Sequence, residues 1–170
     1  MKDKIIPLPN ELNDSFFFTE GNIAWTIDDE TEFNPQKPFI YEAAYFSHIT
    51  SIRPWEHSEN LITLLLQEWL GLKDHLQSIF EKRDRKTALL PMKKGISLFL
   101  EFLHWANEHP VVLSPEINFD KLLIKPVNIK ERLAFIMARP DLYHSFMQLV
   151  ELMTEMEKGY NKALAIKKLK

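Results

Sequence analysis

A single apolar stripe that keeps its helical phase over a long stretch places the strongest constraint on how this sequence can fold. Its members recur every three or four positions: Ile62, Leu65, Trp69, Leu72, Leu76 and Phe80. At ~100° per residue they stay within about one third of the helix circumference. Gly71 falls on the opposite, polar side, and a break there would shift the phase. The stripe therefore predicts one uninterrupted helix from Ser58 to about Asp84, roughly 40 Å long at ~1.5 Å per residue.

Two more helical segments flank this long helix. The first is predicted over 38–49, since proline is tolerated at the first helical position. Another is predicted over 89–107, with Pro91 in its first turn. Its inner stripe consists of Met92, Ile96, Phe99, Leu103 and Ala106. A proline-rich connector then spans 110–127, with a helical turn expected at 119–124.

The last third of the chain predicts a short helix and a long one. Asn128 opens the short helix, and with Glu131 it has the spacing of a capping box. This helix stops near Arg139. The long helix begins near Asp141 and keeps one apolar phase for about six turns. Amphipathic helices bury their stripes against one another. The fold class predicted is therefore all-α, a bundle-like arrangement of about five helices, three of them long.

In residues 1–37 the apolar side chains follow neither the helical period nor the alternation of a strand for any length, and several prolines interrupt the segment. Phe16, Phe17 and Phe18, and the run 23–27, are apolar enough to be held against other residues. We predict an irregular arm over 1–37 packed on a helical domain over 38–170, with room for a short strand-like or single-turn piece. A chain of 170 residues fits a single domain overall.

Composition excludes several classes of protein. Cysteine is absent, so no disulfide or cysteine-based zinc site is possible. The N-terminus does not read as a signal peptide and no apolar run is long enough to span a membrane, so we expect a cytoplasmic protein without a membrane partner. A net charge of −3 argues mildly against a general nucleic-acid binder. No Gly-rich phosphate loop or hydrolase motif is present, so no cofactor and no catalytic residue are predicted, and an enzyme is not favoured.

The densest group of cations is a candidate site for phosphates or an acidic partner. It comprises Arg83, Arg85, Lys86, Lys93 and Lys94. Such a cluster attracts nucleic acid, a nucleotide or an acidic protein. Two other interpretations stay open: a solvated helix end, or neutralisation by residues 1–33, which contain eight acids and two lysines.

The loop before the long helix is a second candidate binding site. It combines a cation, an indole, a carboxylate and an imidazole in Arg53, Trp55, Glu56 and His57. An imidazole can serve as an acid or a base in catalysis, so a hydrolase centred on His57 is a weaker alternative. The other interpretation is a turn anchored by its tryptophan. A third polar and aromatic loop supplies Arg139, Tyr143 and His144, and the alternative there is a turn with a helix cap.

The pattern Glu-x-x-His at Glu101 and His104 is one that di-iron bundles use. A stripe centred on Phe99 places both residues on the far side of their helix. The sequence therefore predicts solvated surface residues and no metal site.

A set of short segments spread over most of the chain carries a family resemblance. They are Phe16-Phe17-Phe18, Arg53-Pro54-Trp55, Arg83-Asp84-Arg85, Pro91-Met92, Gly95-Ile96, Lys125-Pro126-Val127-Asn128, Glu131-Arg132-Leu133, Arg139-Pro140 and Tyr143-His144-Ser145-Phe146. These segments resemble the YpoC-like proteins, a family of uncharacterised proteins from Bacillus-type bacteria. The resemblance implies a bacterial cytoplasmic helical protein and assigns it no reaction. It also implies a gene position near DNA replication and repair genes.

The leading functional hypothesis is a non-enzymatic protein-interaction module with an unknown protein partner, or with a second copy of itself. The alternative is nucleic-acid or nucleotide binding through the basic cluster, linked to DNA replication or repair.

Overall fold

The computed structural model describes residues 4–26 and 33–169. Within them lie two short strands and five α-helices, which form a bundle-like arrangement and confirm the predicted all-α class. The elements are β1 Lys4–Pro7, β2 Asn22–Trp25, α1 Ile40–Phe46, α2 Ser58–Glu81, α3 Arg85–Trp105, α4 Ile129–Ala138 and α5 Tyr143–Lys168. Short 3₁₀ turns lie at Asn10–Leu12 and Phe119–Lys121.

The α2 helix runs through Gly71 without a break, as the phase of its apolar stripe predicts. The stripe is buried, and α2 packs along α3 while α5 packs on α2, α3 and α4. A turn of three residues between α2 and α3 makes the two helices antiparallel neighbours. The stripe is therefore the buried face of one continuous helix.

The α3 helix begins at Arg85, four residues before the predicted start at Leu89. Asp84 caps it by accepting hydrogen bonds from the backbone N–H of Thr87, at 3.2 Å, and from its hydroxyl, at 2.6 Å. Pro91 consequently lies inside the helix and not in its first turn. The cap and the buried Ala88 outweigh the hydrogen bond that Pro91 cannot donate.

The second half of α3 is buried on every side from Gly95 to Trp105. The prediction that Glu101 and His104 are solvated is therefore wrong, since both side chains are buried. The α2 and α5 helices pack on α3. Glu101 and Trp105 of α3 form hydrogen bonds with the segment around α1, to the Phe39 N–H and to the Glu42 carboxyl respectively. A helix that is apolar all round lies inside a protein, and its few polar residues are buried with it.

The α1 helix is shorter than predicted because left-handed backbone bounds it on both sides. Phe39 has φ 59° and His48 has φ 59°, whereas the prediction extended the helix from Pro38 to Ile49. L-residues do not continue a right-handed helix in that conformation.

The predicted capping box at the start of α4 is not formed. Asn128 precedes the helix but has φ 56°, and its side chain makes no cap hydrogen bond to the first turn. An N-cap residue normally has extended backbone, which aims its side chain at the first helical N–H groups. The predicted start of α4 is confirmed, but the capping box that was expected to fix it is absent.

The N-terminal segment contains a two-stranded antiparallel sheet, in line with the short strand-like piece that the prediction allowed. Lys4 pairs with Trp25 and Pro7 with Asn22. Leu12 and Trp25 are buried within the main core. The predicted division of the chain at residue 37 stays a prediction, and residues 1–3 and 27–32 of the predicted arm lie outside the described residues.

None of the helices in the described part of the chain combines the length and apolar character needed to cross a bilayer.

Two helical glycines give a matched test of this packing. A Cβ added at Gly71 meets no heavy atom within 4 Å. We expect Gly71→Ala to raise the free energy of unfolding by about 1 kcal/mol, because alanine favours the helix. A Cβ at Gly95 would lie 3.0 Å from Leu149 Cδ2 and 3.2 Å from Trp69 Cζ3.

We therefore expect no such increase in the free energy of unfolding for Gly95→Ala, because overpacking a core costs ~1–3 kcal/mol. Urea unfolding of both variants measures the difference. An equal increase in stability at the two positions would contradict the close packing of α2, α3 and α5.

Candidate functional site at one end of the bundle

The turn between α2 and α3 projects cations from the end of the bundle. Arg83 adopts φ 56° and closes the α2 helix, with its N–H donating to the Phe80 carbonyl at 3.0 Å. Asp84 is engaged by Thr87, whose hydroxyl lowers the pKa of the Asp84 carboxyl. Arg83, Arg85 and Lys86 are all exposed around this turn. The cap therefore fixes the backbone from which the cations extend.

The junction between α4 and α5 lies against this turn. The Asp141 carboxylate accepts from Arg85 Nη2 at 2.5 Å and from Arg139 Nε at 3.4 Å. The Arg85 hydrogen bond is the main cause that lowers the pKa of Asp141. Ser145 donates to the Arg139 carbonyl at 2.6 Å and so holds the junction to α5. Two clusters predicted separately from the sequence thus meet at one carboxylate.

An aromatic side chain completes this end of the bundle. Tyr143 is 51% exposed and packs edge-on against Phe80, with ring centroids 5.9 Å apart. Phe80 in turn stacks on Phe146 at 5.3 Å, so the tyrosine rests on a buried aromatic base. We call the surface formed by the following residues the basic end: Arg83, Arg85, Lys86, Arg139, Asp141 and Tyr143.

The remaining two lysines of the predicted basic cluster are engaged elsewhere. Lys94 pairs with Glu68 of α2 and donates to Gln36 at 2.6 Å. Lys93 Nζ lies 5.4 Å from the centre of the Phe16 ring. Among the described residues the acid that neutralises Lys94 belongs to α2, not to the N-terminal arm. Four acids of the arm, in the range 28–32, lie outside the described residues.

His144 faces a groove between α4 and α5. Its ring meets Phe135 edge-on at 5.3 Å. The groove has a volume of about 470 Å³ and is lined by Asn128, Glu131, Arg132, Phe135, His144 and Gln148. Arg132 is held there by Glu155 at 2.9 Å. His144 is thus adjacent in sequence to the basic end but points to a separate surface.

The predicted site at 53–57 lies at the opposite end of α2. That helix has 24 residues, which places the loop about 36 Å from the basic end at ~1.5 Å per residue. Trp55 is only 5% exposed and packs edge-on against Tyr45 at 5.2 Å. Arg53 lies 5.0 Å from the centre of the same Tyr45 ring and pairs with Glu56 at 3.3 Å. This arrangement favours the interpretation of a turn anchored by its tryptophan.

The sequence did not predict that three ionisable side chains, Glu42, Glu101 and His104, are buried in the core. Burial raises the pKa of Glu42 to about 7 and raises that of Glu101 well above its usual range. Burial also lowers the pKa of His104 to about 4, which keeps its ring neutral. Within residues 4–26 and 33–169 no three candidate ligands lie close enough together to hold a metal ion. The sequence shows the Glu-x-x-His spacing, but it does not show that the side chains of Glu101 and His104 point into the core.

The fold and this surface define a small helical-bundle protein with a cationic, aromatic end. The family model described as YpoC-like protein matches residues 59–168. A Bacillus subtilis (strain 168) protein named Uncharacterized protein YpoC is 36% identical over 142 residues, which cover 81% of this chain and 87% of that protein. The chain belongs to the YpoC-like family, as the sequence segments indicated. No solved structure matches it.

The role of the 53–57 loop can be tested by stability. We expect Trp55→Ala to lower the free energy of unfolding by about 3 kcal/mol, because it empties a buried aromatic position. Arg53→Ala should change it by less than about 1 kcal/mol, since Arg53 and Glu56 form an exposed ion pair. Urea unfolding gives both values. A Trp55 variant as stable as the Arg53 variant would instead favour a binding role for the indole.

Proposed function

We propose that this protein is a non-enzymatic interaction module that binds an acidic segment of a protein partner at the basic end. The observation that carries the proposal is the arrangement of Arg85 and Arg139 around Asp141. These arginines come from different parts of the chain, and their side chains remain 52% and 56% exposed while they share one carboxylate. The surface therefore keeps an excess of positive charge in a fixed geometry.

The chemistry of the guanidinium group supports binding to carboxylates. Each guanidinium has five N–H donors, and Asp141 takes one from Arg85 and one from Arg139. The remaining donors face an incoming anion, and a carboxylate can accept two of them side by side. Because Asp141 already orients both side chains, less conformational freedom is lost when a ligand binds.

The composition of the basic end favours a protein over a polyanion as partner. Arginine and tyrosine are enriched at protein interfaces and dominate their binding energy. Lys93 and Lys94 are engaged elsewhere, which leaves few cations for a phosphate backbone. The whole chain carries a net charge of −3, which opposes non-specific attraction to nucleic acid.

Photo-crosslinking from the basic end tests this function. A photoreactive phenylalanine analogue at position 143 should capture a partner in cells, because the Tyr143 ring is half exposed. Charge reversal by Arg85→Glu together with Arg139→Glu should abolish the captured band. A glutamate at position 85 also suits the first turn of α3, so the helix is retained. Denaturing gel analysis and mass spectrometry of the band identify the partner, including a second copy of the chain.

The matched control is Lys158→Glu together with Lys162→Glu, which changes the net charge by the same amount. Both lysines are exposed on α5, and Lys158 lies about 22 Å along the helix from Tyr143 at ~1.5 Å per residue. The control should leave the crosslink unchanged. No crosslink from position 143, combined with no self-association in analytical ultracentrifugation, would reject the interaction module.

A second candidate function is nucleic-acid binding at the same surface, which would connect the protein to DNA replication or repair. The observation that favours it is an exposed Tyr143 ring beside four cations, because bases stack on aromatic side chains next to basic residues.

This candidate predicts a specific dependence on salt. Four phosphate contacts give a slope of log affinity against log salt of about −3 on single-stranded DNA, whose bases are free to stack on Tyr143. Fluorescence anisotropy with labelled DNA measures the slope, and Arg83→Glu with Arg85→Glu should abolish binding. Binding that persists in that variant would place any nucleic-acid site elsewhere.

A further inference from the structure

Two buried carboxyl groups lie where α1 joins α3, away from the basic end. Glu42 of α1 is 0% exposed and Glu101 of α3 is 3% exposed. A carboxyl group is rarely buried unless an opposite charge accompanies it, because an isolated buried charge is costly. Among the described residues neither Glu42 nor Glu101 forms an ion pair. We call these two residues the acid pair.

Glu101 holds the start of α1. Its Oε2 atom accepts a hydrogen bond at 3.2 Å from the backbone N–H of Phe39. Phe39 has left-handed backbone, a conformation that costs an L-residue ~1–2 kcal/mol and needs support from its surroundings. The carboxyl of Glu101 supplies part of that support from α3.

Glu42 makes the reciprocal connection from α1 to the end of α3. Its Oε2 atom accepts from Trp105 Nε1 at 2.7 Å and from the Val111 N–H at 3.0 Å. Its Oε1 atom is buried, and no group in the described part of the chain donates to it. A buried acceptor left without a donor costs ~1–3 kcal/mol, so this oxygen needs a proton from some source.

Within residues 4–26 and 33–169, the groups that form hydrogen bonds with the acid pair include no cation. Trp105 Nε1 of α3 and the Val111 N–H donate to Glu42, and the Phe39 N–H at the start of α1 donates to Glu101. Burial is the main cause that raises the pKa of Glu101, and the Glu42 charge raises it further. His104 on the same helix instead hydrogen-bonds the carbonyl of Leu100 at 2.7 Å and is influenced by Lys121 and His109.

We propose that the acid pair is a proton-operated latch that holds α1 on α3. In the closed state one carboxyl is protonated, and its O–H donates to the other carboxylate, which supplies the donor that Glu42 Oε1 lacks. When that proton leaves to solvent, two like charges face each other in the core and α1 separates from α3. The ligand of this site is therefore a proton, and the moving part is the segment that contains α1.

The direction of the pH dependence follows from linkage. The pKa of Glu42 rises from an ordinary 4.5 to about 7 on folding, so the closed state binds more protons between these values. The stabilisation is complete below about pH 4.5 and is lost as pH rises through 7 and beyond, since the pKa of Glu101 is also raised. His104 acts in the opposite direction: its pKa falls from 6.5 to about 4, so its contribution changes only below pH 6.5. Above pH 6.5 the pH dependence therefore reports on the acid pair without a contribution from His104.

Hydrogen exchange of the α1 amides between pH 6.5 and 8.5 tests the latch. After correction for the intrinsic pH dependence of exchange, we expect opening of 40–46 to increase at least tenfold, because release of one proton changes the equilibrium by up to tenfold per pH unit. Glu101→Gln should remove this increase. The amide it introduces keeps an acceptor for Phe39 and adds a permanent donor toward Glu42. Glu42→Gln should also remove the increase, because it replaces the other acid of the pair by a neutral amide.

Glu131→Gln, at an exposed position on α4, is the matched control and should retain the wild-type increase. The α5 amides should show no such increase, since only α1 is released. An increase of equal size in α5 would mean global destabilisation and would reject the latch. So would a flat profile in the wild type, or an unchanged increase in both acid-pair variants. If neither variant folds, urea unfolding of the wild type that shows no loss of stability above pH 6.5 would also reject it.

Discussion

Burial of the whole circumference of the second half of α3 is the constraint on which the rest of this structure depends. Between Gly95 and Trp105 no side of the helix faces solvent, so elements from both ends of the chain must cover it. The long helices cover part of that surface through their apolar stripes. The remainder carries Glu101, whose hydrogen bond to Phe39 fixes where α1 begins, and Trp105, whose indole fixes the position of Glu42. The polar residues of α3 thus determine how the less regular parts of the chain pack.

The sequence predicted α2 well because its apolar residues occupy one face only, so period and phase together define the helix and its buried side. The same reasoning failed for the far side of α3. A stripe centred on Phe99 assigns the opposite side to solvent, although Leu98, Leu100 and Phe102 lie off that stripe and are fully buried. Apolar residues on every side were the available signal that Glu101 and His104 are internal. The left-handed residues that bound α1 gave no such signal, because neither is glycine or asparagine.

The candidate site could be predicted in pieces but not as a whole. Arg83 to Lys86 and Arg139 to Tyr143 stand out locally, yet Arg85 and Asp141 are separated by 56 positions, and no local pattern encodes that contact. The same limit applies to Lys94, whose pairing with Glu68 depends on how α2 and α3 align. Local sequence therefore identified the chemical groups, while the packing of the helices decided which of them act together.

The two proposed activities use opposite ends of the same helix. Arg85 begins α3 and Glu101 lies 16 residues later, about 24 Å along the axis at ~1.5 Å per residue. Exposed ion pairs such as that of Arg85 with Asp141 contribute little to stability, so charges can be exchanged at the basic end without loosening the core. A change in protonation at the acid pair acts on α1, which makes no hydrogen bond or ion pair to the basic end in the described part of the chain. The fold can therefore combine a fixed binding surface with a pH-sensitive N-terminal segment, and each can be altered by substitution while the other stays intact.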